Sequence, residues 1–416
     1  MKKICYLLLL TCSFCMCDGQ DDKSQRWLSD INWLVHKIQQ EHYIYKNREF
    51  PSSFQQQLSS IKQHIGSYSD ERILIELQQL LYHLGDGHTY MLPFGYQLGS
   101  VYYLPVQLYA FSDGMYIIDA DEKHQHLIGA RIKKIDRFEV QDMMQKMVSF
   151  VSQDNTMGAT WIGPFFLRFR GMLEFFGLPK NASSVSLSLR DVDGKEKEVS
   201  VDFVPVPRLR GIPKLVAPFH SSKPVRYLQN IQSPYWLQSI PSDHALYLQF
   251  NQVMNTPTES LSAFAKKLED SLLLTKASLL IIDVRHNNGG NADLLGPLLH
   301  VIKAFEQNQK GQIVVLTGRN TFSAAQIFIT KVNRDTKAIF AGEPSSSSPN
   351  FVGEENGFTL PFSGAIGSIS NRYHENFPGD KRKWIEPALR LSISSKDYFG
   401  NRDPLLEAVL KKYAER

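Results

Sequence analysis

Beyond Cys17 the 416-residue chain contains no cysteine: all four thiols, Cys5, Cys12, Cys15 and Cys17, are crowded into its first seventeen positions. A disulfide framework is therefore excluded for the rest of the chain. Blocks of charge are missing too. The net charge is +4, acidic and basic residues are interspersed, and no aromatic run sits among lysines, so the chain carries no footprint for nucleic acid. There is no internal repeat, and the only low-complexity tract is Ser345-Ser346-Ser347-Ser348, which reads as a mobile loop. The longest apolar run near the start, residues 4–14, is too short to span a bilayer as a mature helix.

What is present begins with Lys2 and Lys3 ahead of that apolar run and the polar string Asp18-Gly19-Gln20-Asp21-Asp22 behind it, the layout of an export signal over residues 1–20. A metal cluster built from its cysteines is disfavoured, because half of them lie in the apolar core of the signal. Leu9-Leu10-Thr11-Cys12 loosely resembles a lipoprotein cleavage site, which would allow membrane attachment by an N-terminal lipid. Cleavage near residues 17–20 by an ordinary signal peptidase is the alternative. Either route places the product outside the cytoplasm, whether periplasmic, lipid-anchored or secreted.

With 43% hydrophobic residues and this length, two or three units are expected. Trp27, Leu28, Ile31, Leu34, Val35 and Ile38 paint one face of a helix over 27–42, and a weaker helix covers 54–65. A third begins at the capping pair Ser69-Asp70 and stops at Gly85. Residues 25–92 therefore read as an N-terminal helical unit. Residues 98–205 read as an α+β unit with strands at 102–108, 115–118, 130–135, 185–189 and 198–203 and helices at 140–150 and 161–176. Its stretch 127–136, followed by a helix, resembles the centre of a PDZ domain, but the glycine-hydrophobic loop of such domains is not evident, leaving a structural role as open as peptide capture. Residues 206–240, rich in proline, read as a connector. From 241 to 416 the order becomes strand, helix, strand: strands at 245–250, 279–284, 313–316 and 338–341 and helices at 259–273, 294–305 and 323–332 predict a layered α/β domain with a buried sheet.

Three stretches carry candidate chemistry. Ser323 stands where strand gives way to helix, beside N–H groups that lack helical partners and can hold an oxyanion; it is otherwise a helix N-cap. Asp283-Val284-Arg285-His286-Asn287-Asn288-Gly289-Gly290 closes a buried strand with paired glycines whose amides can face a ligand oxygen, or is a plain turn with Asp283 and Arg285 paired for stability. In Gly85-Asp86-Gly87-His88-Thr89, two glycines expose His88 on a loop, where a surface histidine is the alternative; His83, one turn earlier, is explained by packing.

Asp283-x-Arg285-x-Asn287-x-Gly289-Gly290, then Thr321-Phe322-Ser323-Ala324-Ala325, then Gly342-Glu343-Pro344 together resemble the tail-specific, or C-terminal processing, serine peptidases and their tricorn-core relatives. The resemblance covers residues 225–416, and Asp86-Gly87-His88-Thr89 extends it to the helical unit. It implies a crotonase/ClpP-like catalytic domain with Ser323 as nucleophile and neither metal nor cofactor. Members that use a lysine base are not matched: residues 342–349 hold none, and Lys331 lies in the same helix as the serine, heading for solvent. The tricorn-like pattern matches His88 as base and Glu386, in Trp384-Ile385-Glu386-Pro387, as the acid orienting it. Gly87 stands where that pattern has a serine, and Thr89 is the available substitute as polar support. The amides of Ala324, Gly289 and Gly290 would bind the oxyanion. The expectation is an exported serine endopeptidase acting on peptides or unfolded proteins. The rival is a non-catalytic binder of hydrophobic ligands or peptide tails on the same fold. An acyl-CoA enzyme of the crotonase type is unsupported, because export separates it from its cofactor.

Overall fold

The computed structural model describes residues 17–99, 101–206 and 223–414. Its first helix, Cys17–Glu41, takes in the last residues of the expected export signal; the remainder of that signal, with Cys5, Cys12 and Cys15, lies outside the described residues. Trp27, Ile31, Leu34 and Ile38 recur every three or four positions and are fully buried. The helices Ser52–His64 and Asp70–Tyr82 follow as expected, the second capped by Ser69, whose Oγ accepts the Arg72 N–H at 3.0 Å.

These helices do not close a core alone. The strand Tyr90–Gly95 pairs antiparallel with Ala365–Glu375, which pairs with Asn350–Thr359, so the front of the chain shares a sheet with its rear. Phe358, Leu360, Ala365 and Ile369 pack into the same apolar cluster as Trp27 and Leu34. The buried Asp30 carboxylate adds a polar stitch, accepting the N–H groups of Phe362 at 2.8 Å and Ser363 at 2.9 Å.

The middle unit is an antiparallel sheet ordered Val106–Phe111, Gly114–Ala120, Arg131–Ile135, Ser184–Arg190 and Glu196–Asp202. The strand expected over 102–108 is split at Pro105, which has no N–H to donate; Tyr102–Tyr103 pairs instead with Val204–Pro205. The helix expected over 161–176 is two helices, Met157–Phe166 and Arg170–Phe176, broken where Phe169 is extended.

In the C-terminal domain six strands run in the order Tyr235–Ile240, Ala245–Phe250, Leu279–Asp283, Gln312–Thr317, Ile339–Gly342, Leu389–Arg390, all parallel except the first pair. Side-chain parity explains why these strands are apolar throughout. Leu280, Ile282 and Val315 face the helices Leu261–Thr275, Gly296–Gln309 and Ala324–Asp335, while Leu279, Ile281 and Val314 face Leu405, Leu406 and Val409 of Pro404–Tyr413. The connector expected over 206–240 thus ends in an edge strand, held by main-chain pairing that runs from Tyr235↔Phe250 to Ile240↔Ala245 and needs no apolar periodicity. Its residues 207–222 lie outside the described residues. Among the described residues no helix is long and apolar enough to cross a membrane.

Removing the Asp30 carboxylate strands two largely buried N–H donors. Asp30→Ala is expected to cost about 2–4 kcal/mol of stability, read as a lowered midpoint of chemical denaturation; a midpoint within error of wild type would show that this stitch carries no weight.

Candidate active site

The turn between Gln312–Thr317 and the following helix is closed by one side chain. Thr321 Oγ1 accepts the Gly318 N–H at 3.1 Å and donates to Val284 O at 2.9 Å, and the Phe322 N–H donates to Asn287 O at 3.1 Å. Ser323 is thereby forced to φ +54° and ψ −124°, and its side chain makes no capping hydrogen bond. An ordinary N-cap has extended backbone angles and bonds back to the helix, so the capping alternative does not describe this residue. Holding a serine there costs on the order of 1–3 kcal/mol. The helix Ala324–Asp335 starts immediately after, with the Ala324 N–H at its positive end.

Asn287 organises the neighbouring loop: its Nδ2 donates to Phe250 O at 3.0 Å and its Oδ1 accepts the Gly289 N–H at 3.0 Å. This corrects one expectation. The Gly289 amide is occupied by Asn287 and is not offered to a ligand; the role of Gly289 is closeness, since a Cβ there would stand 2.8 Å from Ser323 Cβ and 3.2 Å from its Oγ. Gly290 is pinned beside Val253, whose carbonyl lies 2.1 Å from where a Cβ would be; exposed and lining the cleft, it remains, with Ala324, an oxyanion candidate. Asp283 and Arg285 do not line this cleft. Asp283 accepts from Tyr247 Oη at 2.6 Å, and Arg285 bridges Asp283 to Asp403, the residue that caps Pro404–Tyr413. They fasten a strand end to the last helix, the stabilising alternative considered for them.

The His88 loop is set by Asp86. Its Oδ1 accepts the N–H groups of His88 at 2.9 Å and Thr89 at 2.7 Å and the Ser370 hydroxyl at 2.5 Å, and its Oδ2 lies 2.9 Å from His42 Nε2. His42 Nδ1 accepts the Ile44 N–H, so the ring hydrogen sits on Nε2 and points at the carboxylate. Thr89 does not support the imidazole: its Oγ1 donates to Ser370 Oγ and accepts the Ser370 N–H, both at 3.1 Å.

The His88 ring is buried between Phe322 (centroids 4.3 Å apart) and Phe351 (5.1 Å), with Trp161 beyond Phe322; neither ring nitrogen is bonded to a side chain, and the nearest polar group is the Val352 backbone. Burial pushes its pKa down to about 4, with Asp86 pulling the other way and His374 adding to the fall. Glu386 is not brought to it. That side chain is 59% exposed, accepts from Trp384 Nε1 at 2.7 Å and meets Arg390 at 3.4 Å. An exposed carboxylate takes the nearest donors, and here those are its own chain neighbours.

Ser323, Ala324, Gly290 and His88 share one cleft of about 1140 Å³, walled by Trp161, Phe351 and His374. A second hollow, beside Arg285 and Arg319, holds about 50 Å³ and has room for water only. Lys331, expected to head for solvent, borders the large cleft, but eight residues of helix place it roughly 12 Å along the axis from Ser323, too far to take its proton. Nor are the serines at 345–348 a mobile loop. Ser345, Ser346 and Ser347 are buried, and the Ser346 N–H donates to Thr321 O at 3.1 Å, tying them to the serine's own turn. Sequence reasoning gave no role to Phe322, Phe351, Asn287 or His374; of these Asn287 and Phe322 lie inside singled-out motifs, whereas Phe351 and His374 carried no signal. Among the described residues no group of acidic, histidine or cysteine side chains could hold a metal ion.

No protein-family model matches the chain, and no curated protein matches it. Its fold is similar to that of mature CPAF complexed with lactacystin, with a TM-score of 0.63 and 15% identity over 94% of this chain and 97% of that one. Mature CPAF alone matches with a TM-score of 0.59 and 14% identity over 94% and 96%. The photosystem II D1 C-terminal processing protease matches with a TM-score of 0.41 and 13% identity over 94% and 96%. The α/β multidomain architecture is thus shared along nearly the whole chain.

The buried imidazole makes stability depend on pH. Between pH 6.5 and about 4 the unfolded chain binds a proton at His88 that the folded chain refuses, so stability falls as pH falls through that window. His88→Phe, which can stack between the same rings, removes this penalty. Relative to wild type the variant should gain about 2–3 kcal/mol on going from pH 7.5 to pH 4, measured by denaturant titration; a difference that does not change with pH would contradict the assigned burial.

Proposed function

We propose that the chain is a serine peptidase in which Ser323 is the nucleophile and His88 the base, acting outside the cytoplasm on peptides or unfolded proteins. The observation that carries this reading is the pairing, in one cleft, of a strained serine without a capping bond and an imidazole with no side chain bonded to either nitrogen. Ser323 Oγ adds to the substrate carbonyl, its proton passing to His88, and the resulting oxyanion takes the Gly290 and Ala324 N–H groups. The C–N bond then breaks as His88 returns the proton to the leaving amine, and water repeats the sequence on the acyl-enzyme. A pKa of about 4 keeps the ring neutral and ready at neutral pH, and the developing oxyanion offsets the cost of charging it. The cleft is larger than the roughly 300–1,000 Å³ usual for small-molecule sites, which favours a stretch of peptide chain. Export and possible lipid attachment rest on residues 1–20 alone.

One observation favours the carrier reading: Glu386 is engaged with Trp384 and Arg390, and no carboxylate is bonded to the imidazole in its apolar slot. Under that reading the protein binds apolar ligands or peptide tails one to one without turnover.

Wild type, Ser323→Ala and His88→Ala incubated with a mixed peptide library and read by mass spectrometry separate the two. Ser323→Ala is expected to lose about 10⁴-fold or more in kcat with its melting temperature retained, and hydrolysis surviving in that variant would end the peptidase reading. Because Glu386 is engaged with Trp384 and Arg390, Glu386→Gln is expected to lose less than about tenfold in kcat. A loss approaching that of His88→Ala would restore Glu386 to the orienting role.

A further inference from the structure

Asp86 fixes the His88 loop from one side; a second carboxylate fixes it from the other. Asp154 lies in the bend ahead of the helix Met157–Phe166, and its Oδ1 accepts the Gly87 N–H at 2.8 Å. Three successive amides, those of Gly87, His88 and Thr89, are thereby held by two carboxylates from different parts of the chain. The absence of a side chain at Gly87 leaves room for this, since a Cβ there would stand 3.0 Å from the Phe322 ring and 3.2 Å from Asp154 Oδ1. The other oxygen, Asp154 Oδ2, is shut away from solvent, with the Ser347 hydroxyl and the Ser348 N–H beside the carboxylate.

The residue that follows extends the same hub. Asn155 is buried, and its Nδ2 donates to Ser345 O at 3.1 Å and to Lys383 O at 2.8 Å. One bend of the middle unit therefore grips the loop before His88, the serine stretch bound to the Ser323 turn, and the segment leading to Glu386. We propose that Asp154 is the positioning residue for the base: through the Gly87 amide it sets where the His88 imidazole stands relative to Ser323. The proposal rests on the assignment of Ser323 and His88 as nucleophile and base.

Burial, and then the charge of Asp86, push the Asp154 pKa up to about 7, so near neutrality a large share of it is a neutral acid. In that form Oδ1 still accepts from Gly87, and an acid hydrogen on the other oxygen can be offered to the Ser347 hydroxyl. Asparagine reproduces both features, with a carbonyl oxygen for the Gly87 N–H and an NH₂ for Ser347. Alanine reproduces neither. The positioning role therefore separates the two substitutions, whereas a site sensitive only to the loss of a carboxylate would treat them alike.

The test compares Asp154→Asn and Asp154→Ala in the full chain, reading kcat and KM separately and following the His88 ring by NMR of histidine-labelled protein, with His88→Ala used to assign its signal. Asp154→Ala is expected to lower kcat about 10²-fold with KM within about threefold, as misplacement of a reacting group by about an ångström does, and to move the His88 titration upward as the ring is loosened toward water. Asp154→Asn should stay within about threefold of wild type in kcat and leave the His88 signal in place. If Asp154→Ala does not fold, Asp154→Ser, whose hydroxyl is too short to reach the amide, carries the same expectation. An alanine or serine variant with unchanged kcat and an unmoved His88 signal overturns the proposal, as does an asparagine variant as impaired as alanine. Should wild type hydrolyse nothing, the peptidase reading falls by itself, and the NMR signal still decides whether Asp154 places the ring.

Discussion

The arrangement depends on the buried carboxylate of Asp86. Taking an ionised carboxylate out of water costs several kcal/mol unless donors surround it, and Asp86 collects two backbone amides, the Ser370 hydroxyl and the His42 ring. Burial pushes its pKa up, but His42 and the hydrogen bonds outweigh that and hold it below the usual carboxylate range. These donors come from the first helix's end, the loop itself and the Ala365–Glu375 strand. Satisfying one charge therefore requires the front and rear of the chain to meet, and that meeting brings an imidazole at position 88 into the cleft of a hydroxyl at position 323. The shared sheet and the Asp30 stitch reinforce the same junction from the apolar side.

A comparable logic holds the serine. Its backbone strain persists only because the surroundings over-determine it. Thr321 and Asn287 close the turn, and the buried Arg319 binds Glu343, which also faces the Arg319 N–H. The same guanidinium reaches Ala110 O in the middle unit at 2.6 Å. Gly342-Glu343-Pro344, noticed in the sequence as a third motif without chemistry of its own, thus acts as the anchor of the turn before Ser323. Buried ion pairs contribute little net stability when weighed against apolar replacements, but their geometry is demanding, and geometry is what the strained turn before Ser323 requires.

Much of this could be read from the residues. The runs Leu279-Leu280-Ile281-Ile282 and Ile313-Val314-Val315-Leu316 announce strands covered on both faces, and the 3.6 spacing of Trp27, Ile31, Leu34 and Ile38 announces a buried helix face, because periodicity reports burial directly. The strand-to-helix turn at Ser323 and the loop at His88 were legible from their turn-forming neighbours, while the burial of His88 was not. Nor were hydrogen-bond partners. That the Gly289 amide is spent on Asn287, that Thr89 serves Ser370, that Glu386 stays with Trp384 and that Ser345, Ser346 and Ser347 are buried are choices among donors and acceptors far apart in the chain. No local pattern encodes them. The edge strand Tyr235–Ile240 escaped for a related reason: it is ordered by pairing with Ala245–Phe250, and its side chains need not alternate.

The aromatic slot around His88 sets the terms on which the proposed chemistry can run. An imidazole buried with no side chain bonded to its nitrogens forfeits hydrogen bonding worth about 1–3 kcal/mol relative to water, and its phenyl neighbours cannot replace it. What relieves that deficit must be something polar arriving in the cleft, either the Ser323 hydroxyl turning toward the ring or the leaving amine of a bound chain. The same apolar walls that depress the ring's basicity strengthen every electrostatic contact made once water is excluded, including those from Gly290 and Ala324 to an oxyanion. A weak base in a dry site and a strong one in a wet site can therefore reach similar barriers. The difference lies in selectivity, because the dry site gains its advantage only when a substrate fills it.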